Sequence, residues 1–170
     1  MRCIITTEGF GEMVFELYPE HAPLTVKNFE DTAKSGFYDG LAWCRIVKDY
    51  VIQAGSPDND IMTDSDWHIK GEFEENGVSN PIPHIRGAIS MARDDGYNTA
   101  GTQFFVVHQD AHKLDGRYAA FGQMVSGFDE MQKYFDKKLT ERTLREFRRQ
   151  AGILGKSVLA NEKYAHAIVN

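Results

Sequence analysis

The chain has 170 residues, 42% of them hydrophobic and 26% charged, a balance that suits one domain large enough to bury a core. Its formal net charge of -6 argues against general nucleic-acid binding, which relies on clustered lysine and arginine. Two cysteines, Cys3 and Cys44, form no C-x-x-C pattern, and no apolar run is long enough to span a bilayer. These features argue against a disulfide framework, a metal site and a membrane partner, and make a reducing, cytoplasmic setting the expectation. The first fifteen residues also lack the long apolar stretch of a secretory signal.

In chain order, residues 3–7 and 12–17 flank Gly9-Phe10-Gly11 and predict an antiparallel hairpin. Pro23 suits the first turn of a helix, where its missing N–H leaves no bond unmade. Val26, Phe29 and Ala33 follow at helical spacing and Gly36 stands where a C-terminal cap belongs, so a helix is expected over 23–35. Residues 41–55 read as strand, polar break at Lys48-Asp49, and strand. Within that apolar hairpin sit Arg45 and Gln53, whose donors would be costly to bury without partners. Arg45 therefore needs a carboxylate, a route to water, or an acceptor from outside the chain.

The loop 56–66 carries Asp58, Asp60, Asp64 and Asp66 but lacks the glycine and terminal glutamate of an EF-hand, and is expected to be solvated. A short strand is expected over 69–73, and 74–85, with Pro81 and Pro83, is expected to be irregular. Strands are predicted over 87–91, 102–107 and 121–125, with a polar loop over 93–101. After Gly127, the residues Phe128, Met131, Gln132 and Phe135 begin a second helix.

Four motifs stand in order: Arg45, Tyr50, Gln53 and Gly55 at the spacing R-x-x-x-x-[FY]-x-x-Q-x-G; the run Gly87 to Ala92; the run Gly101 to Phe105; and LDGRYAAFG from Leu114 to Gly122. Together they resemble the cyclophilin family of peptidyl-prolyl cis-trans isomerases over roughly the first four-fifths of the chain. The resemblance implies a mainly β fold, a closed antiparallel barrel of about eight strands capped by the two helices, over residues 1–135. It also implies an enzyme without cofactor or metal that assists protein folding by turning X-Pro bonds in proline-containing peptides and in unfolded or flexible protein segments.

That chemistry needs no nucleophile. The X-Pro amide is a partial double bond with a rotation barrier of ~18–20 kcal/mol. Rotation localises the lone pair of the imide nitrogen, so a catalyst should donate a hydrogen bond toward it and hold the twisted geometry. A guanidinium stays charged and offers a rigid fork, and the resemblance makes Arg45 that donor. It makes Gln53 the partner of the substrate backbone and Phe105 part of the catalytic core. Tyr50, Val51, Met91, Leu114 and Tyr118 would form the proline pocket with Phe105. Ala92, Arg93 and Gln103 would line the adjoining groove, Arg93 through its backbone. Phe104 is expected in the core, because adjacent strand residues face opposite ways.

The chain departs from the family at Trp43-Cys44 (usually Phe-His), Val51 (often Met), Arg93 (frequently Asn), Tyr118 (commonly His) and Lys113 (Trp in cyclosporin-sensitive members). Arg45, Gln53 and Phe105 are untouched, so isomerase activity with weak cyclosporin binding is expected. The alternatives are a non-catalytic proline-peptide binding module or chaperone, and an assembly subunit acting through its tail. That tail, 136–170, carries Leu144, Phe147, Ala151, Leu154, Val158, Asn161, Ala165 and Ile168 at steps of three and four. The steps predict a helical seam packed on the barrel, with a helix over 140–150. Gly152 and Gly155 interrupt it, and the competing expectation is a closing strand at 153–160 or 164–169.

Overall fold

The computed structural model describes residues 1–136 and the backbone of residues 165–169. Strands β1 (Arg2–Thr7) and β2 (Gly11–Leu17) form the expected hairpin, in register from Arg2 opposite Glu16 to Thr7 opposite Gly11. Their alternation decides the buried face: Cys3, Ile5, Met13, Phe15 and Leu17 all point into the core.

Helix α1 (Pro23–Lys34) starts on its proline and buries Val26, Phe29 and Ala33. Phe29 lies at its centre, with ring centroids of Phe121 at 5.1 Å and of Phe104 and Tyr38 at 5.3 Å. The helix has no side-chain cap of its own. Glu72, buried, supplies one from outside, accepting from the backbone of Leu24 at 3.0 Å, the backbone of Thr25 at 2.8 Å and the Thr25 hydroxyl at 2.7 Å. A carboxylate there answers both the unpaired N–H groups and the positive end of the helix dipole.

The remaining elements are β3 (Arg45–Val47), β4 (Val51–Ala54), β5 (Ala88–Met91), β6 (Phe104–Val107), β7 (Ala120–Ser126), α2 (Phe128–Asp136) and β8 (Ala165–Val169). The antiparallel sheet runs β3-β4-β6-β5-β7-β2-β1-β8. Gly127 leads into α2 at φ +97, where a Cβ would stand 2.4 Å from the Glu12 carbonyl. The helix buries Met131 and Tyr134, and Tyr134 stacks on Phe10 with centroids 4.1 Å apart.

Three expectations change. Residues 69–73 make one isolated bridge, Ile69 to Ala100, rather than a strand. At the other end of the chain, residues 165–169 pair antiparallel with β1, from Thr7 opposite Ala165 to Cys3 opposite Val169. This corrects the helical seam at Ala165 and Ile168 in favour of the competing closing strand. Without a partner on that side β1 would present a row of unmade backbone bonds, a demand that heptad spacing does not register. The helix expected over 140–150 lies outside the described residues. The end strands of the sheet, β3 and β8, share no ladder among the described residues, so the expected closed barrel is here an eight-stranded antiparallel sheet with two helices.

Candidate active site

Register builds the site. Arg45 lies opposite Gln53 across β3 and β4, Gln53 opposite Phe105 across β4 and β6, and Phe105 opposite Ser90 across β6 and β5. Residues directly opposite share a face, so these four stand in one row on one side of the sheet. The neighbouring row, Ile46, Ile52, Val106 and Ile89, faces the main core. Gly55 ends β4 at φ +91, and a Cβ there would meet the Thr102 carbonyl at 2.3 Å. Only glycine allows that approach, and the Thr102 hydroxyl locks it by donating to the Gly55 carbonyl at 2.7 Å.

An open cleft of about 170 Å³ lies over this row. Phe105, Val51 and Leu114 form its apolar floor, Tyr50 and Tyr118 its aromatic sides, and Arg45, Gln53 and Arg93 its polar edge, with Ala92 also in the lining. Gln103 lines an adjoining hollow of about 50 Å³ that shares Gln53, Ala92 and Arg93 with the cleft. Met91 is in neither. It lies opposite Phe104 on β5 and β6 and is packed in the main core, so the alternation that assigns Phe104 to the core assigns Met91 there too.

Half-buried Arg45 has no carboxylate partner among the described residues; its Nη1 donates to Gln53 Oε1 at 3.2 Å. Gln53 Nε2 donates in turn to Gln103 Oε1 at 2.8 Å, and Gln103 Nε2 to the carbonyls of Thr63 at 3.0 Å and Ile61 at 3.3 Å. Because a guanidinium only donates, it sets the orientation of both amides down the relay. The acidic loop is built for itself: Asp58 accepts from Ser56, Thr63 and the Asp60 backbone. Lys113, just outside the floor, holds its Nζ 4.2 Å from the Tyr50 ring centroid.

Sequence reasoning missed what stands behind Phe105. His84, fully buried in the irregular segment, stacks on the Phe105 ring with centroids 6.0 Å apart. Its Nδ1 is 2.9 Å from Asp115 Oδ1 and its Nε2 is 3.0 Å from Ser90 Oγ. A carboxylate only accepts, so Nδ1 carries the proton and Nε2 accepts from the serine. Asp115 Oδ1 also takes the His84 backbone N–H at 2.7 Å, and its Oδ2 binds His112 Nδ1 at 2.8 Å. No periodicity marks a lone histidine that follows two prolines, Pro81 and Pro83.

Burial holds the His84 pKa below 6.5 despite Asp115, whereas the hydrogen bond to Asp115 raises that of exposed His112 above 6.5. Burial alone would raise the Asp115 carboxyl, but bonds from the His84 backbone and from the His112 and His84 rings leave it below 3.8. The signs oppose one another. The His84 contribution to stability is complete above its unfolded value and is lost as pH falls through its lowered folded one. The His112 contribution is present at low pH and lost as pH rises through its raised folded value. In an NMR titration His112 should protonate before His84 on acidification; the reverse order would refute this assignment. Asp115→Ala should draw the His112 midpoint back toward 6.5.

The antiparallel sheet thus carries an apolar, aromatic-sided cleft edged by two arginines, Arg45 and Arg93, a lining chemically suited to a small apolar ring beside polar groups. The family model described as cyclophilin type peptidyl-prolyl cis-trans isomerase/CLD matches residues 2–150. The chain belongs to that family of enzymes. It is 43% identical over 122 residues to peptidyl-prolyl cis-trans isomerase B of Bacillus subtilis, covering 72% of this chain and 82% of that protein. To an isomerase of Schizosaccharomyces pombe it is 36% identical over 119 residues, 70% of this chain and 76% of the other. A crystal structure of a Cryptosporidium parvum cyclophilin type isomerase, obtained in the presence of the dipeptide Ala-Pro, superposes with a TM-score of 0.70 at 28% identity, covering 78% of this chain and 84% of that one.

Proposed function

We propose that the protein turns X-Pro bonds in proline-containing peptides and flexible protein segments by seating the proline ring on Phe105 and donating from Arg45 to the imide nitrogen as it pyramidalises. The observation that carries this is the row Arg45, Gln53, Phe105, which sets the Arg45 guanidinium beside one apolar floor with no carboxylate among the described residues to occupy it. The relay through Gln53 and Gln103 holds the fork before substrate arrives, so little reorganisation accompanies the twist. Gln53 can offer its amide to the peptide backbone. Tyr50, Val51, Leu114 and Tyr118 enclose the ring, and Ala92, Arg93 and Gln103 carry the residues beside it. The Ala-Pro used with the Cryptosporidium parvum relative is the kind of ligand this cleft suits.

A protease-coupled isomerisation assay tests the reading. Catalysed exchange at substoichiometric enzyme is expected. Peptide binding with only the uncatalysed rate, tens to hundreds of seconds, would favour a binding module instead.

Closure of the sheet belongs to the same reading. Trp43, two residues before β3, donates from Nε1 to the Thr7 hydroxyl at the end of β1 at 3.1 Å. We take this side-chain bond as a contact that draws β1, the neighbour of end strand β8, toward the β3 end of the sheet and so toward a barrel.

Cyclosporin should bind weakly, because Lys113 rather than an indole stands beside Tyr50. The missing hydrogen bond, ~0.5–1.5 kcal/mol, and the missing aromatic face should weaken binding about tenfold or more. Inhibition titrations should show Lys113→Trp tightening it; equal inhibition of both proteins would make the indole dispensable.

A further inference from the structure

Arg93 borders both the cleft and the adjoining hollow, yet its guanidinium is engaged elsewhere. Nε and Nη2 donate to the Arg117 carbonyl at 3.1 and 2.9 Å, and Nη1 donates to the carbonyls of Asp94 at 2.8 Å and Asp95 at 3.3 Å. Its Cζ lies 4.7 Å from the ring centroid of Tyr118, 5.1 Å from that of Phe73 and 5.4 Å from that of Tyr97. No carboxylate pairs with it among the described residues. An outer clasp closes the arrangement: Glu75 accepts from the Tyr97 hydroxyl at 3.2 Å and pairs with Arg117 at 3.3 Å.

The two backbone segments that Arg93 holds form different walls. Asp94 edges the hollow, and Arg117 precedes Tyr118, a side of the proline cleft. Tyr118 is fixed between Arg93 and Phe105, whose ring meets it edge-on at 5.8 Å. A planar fork that donates to one carbonyl with two nitrogens and to two more with a third is beyond an ammonium. Arg93 and Tyr118, two of the chain's departures from the residues frequent in the family, touch each other.

We propose that the Arg93 side chain is a positioning residue that braces Tyr118 against the 94–95 loop and thereby sets how tightly the groove grips a proline-containing peptide. This rests on the reading of the cleft as the proline site. Walls ordered in the free protein need not be ordered on binding, so the loss of the brace falls on affinity more than on the bond rotation carried by Arg45.

The test is a double-mutant cycle read by NMR on the full chain with an Ala-Pro-containing tetrapeptide, giving peptide Kd from titration and turnover from exchange spectroscopy. Arg93→Asn and Tyr118→His are each expected to weaken peptide binding about fivefold, and the double variant to fall well short of the roughly twenty-five-fold product, because both remove one contact. Arg93→Lys, which keeps the charge and disturbs packing least, should lose affinity like Arg93→Asn while the exchange rate of bound peptide changes little. Unchanged Kd in Arg93→Lys, or single effects that multiply in the double variant, overturns the proposal. Wild type that binds peptide without turning it over sinks the catalytic reading alone, since the cycle in Kd still decides the brace. Wild type that binds no such peptide overturns both.

Discussion

Arg45→Ala is expected to lower kcat/KM by about ten- to a thousandfold, the range for removing one oriented donor from a transition state. The fold should survive. Among the described residues Arg45 makes one side-chain hydrogen bond, to Gln53, and balances no buried carboxylate, so its removal strands no charge. Gln53 keeps its bond to Gln103 and gains access to water through the open cleft. Arg45→Lys should recover little. One ammonium cannot hold Gln53 and also reach an imide nitrogen with a fixed geometry, whereas a fork can do both. Turnover near that of the wild type in a folded Arg45→Ala protein would exclude the role. A loss confined to KM would mean that the guanidinium binds both planar forms and the twisted form alike.

How much of this was legible depends on whether a residue's role follows from its own strand. The spacing of Arg45, Tyr50 and Gln53 and the β pattern around them located the hairpin, and two-residue alternation separated Phe105 from Phe104. The same rule, applied one strand over, would have sent Met91 to the core; pairing β5 with β6 was the missing step. Glu72 and His84 act across forty-seven and six residues of sequence, through the Thr25 backbone and the Ser90 hydroxyl, from segments without periodicity. Only assembly reveals them. Arg93 shows a third case. Its place in the groove was an implication of the family resemblance, through its backbone, but the fork that holds two walls depends on carbonyls whose directions no composition encodes. At 165–169 the heptad steps were present and lost to the open edge of β1.

Adjacent phenylalanines on β6 should separate stability from chemistry. Phe104 is buried among Phe29, Tyr38 and Trp43, with ring centroids at 5.3, 5.4 and 5.8 Å. Phe104→Ala leaves an enclosed cavity among rigid rings that cannot collapse, at a cost of about 3–5 kcal/mol. For a chain of this size each kcal/mol moves Tm by about 2–4 °C, so a fall of roughly 6–20 °C is expected. Measured well below that lowered midpoint, kcat/KM should stay within a few-fold of wild type, because the residue faces away from the cleft. Phe105→Ala should invert the pattern. Its ring is 5% exposed, stacks on His84 and floors the open cleft, so the space it leaves joins the solvent-filled groove instead of becoming a sealed void. The cavity part of the destabilisation is then reduced, while the proline ring loses its floor and Tyr118 its edge contact. Melting and kinetics taken on the same two preparations decide the matter. A large Tm drop with normal activity in Phe105→Ala, or crippled turnover with normal Tm in Phe104→Ala, would reverse the assignment of the two faces of β6.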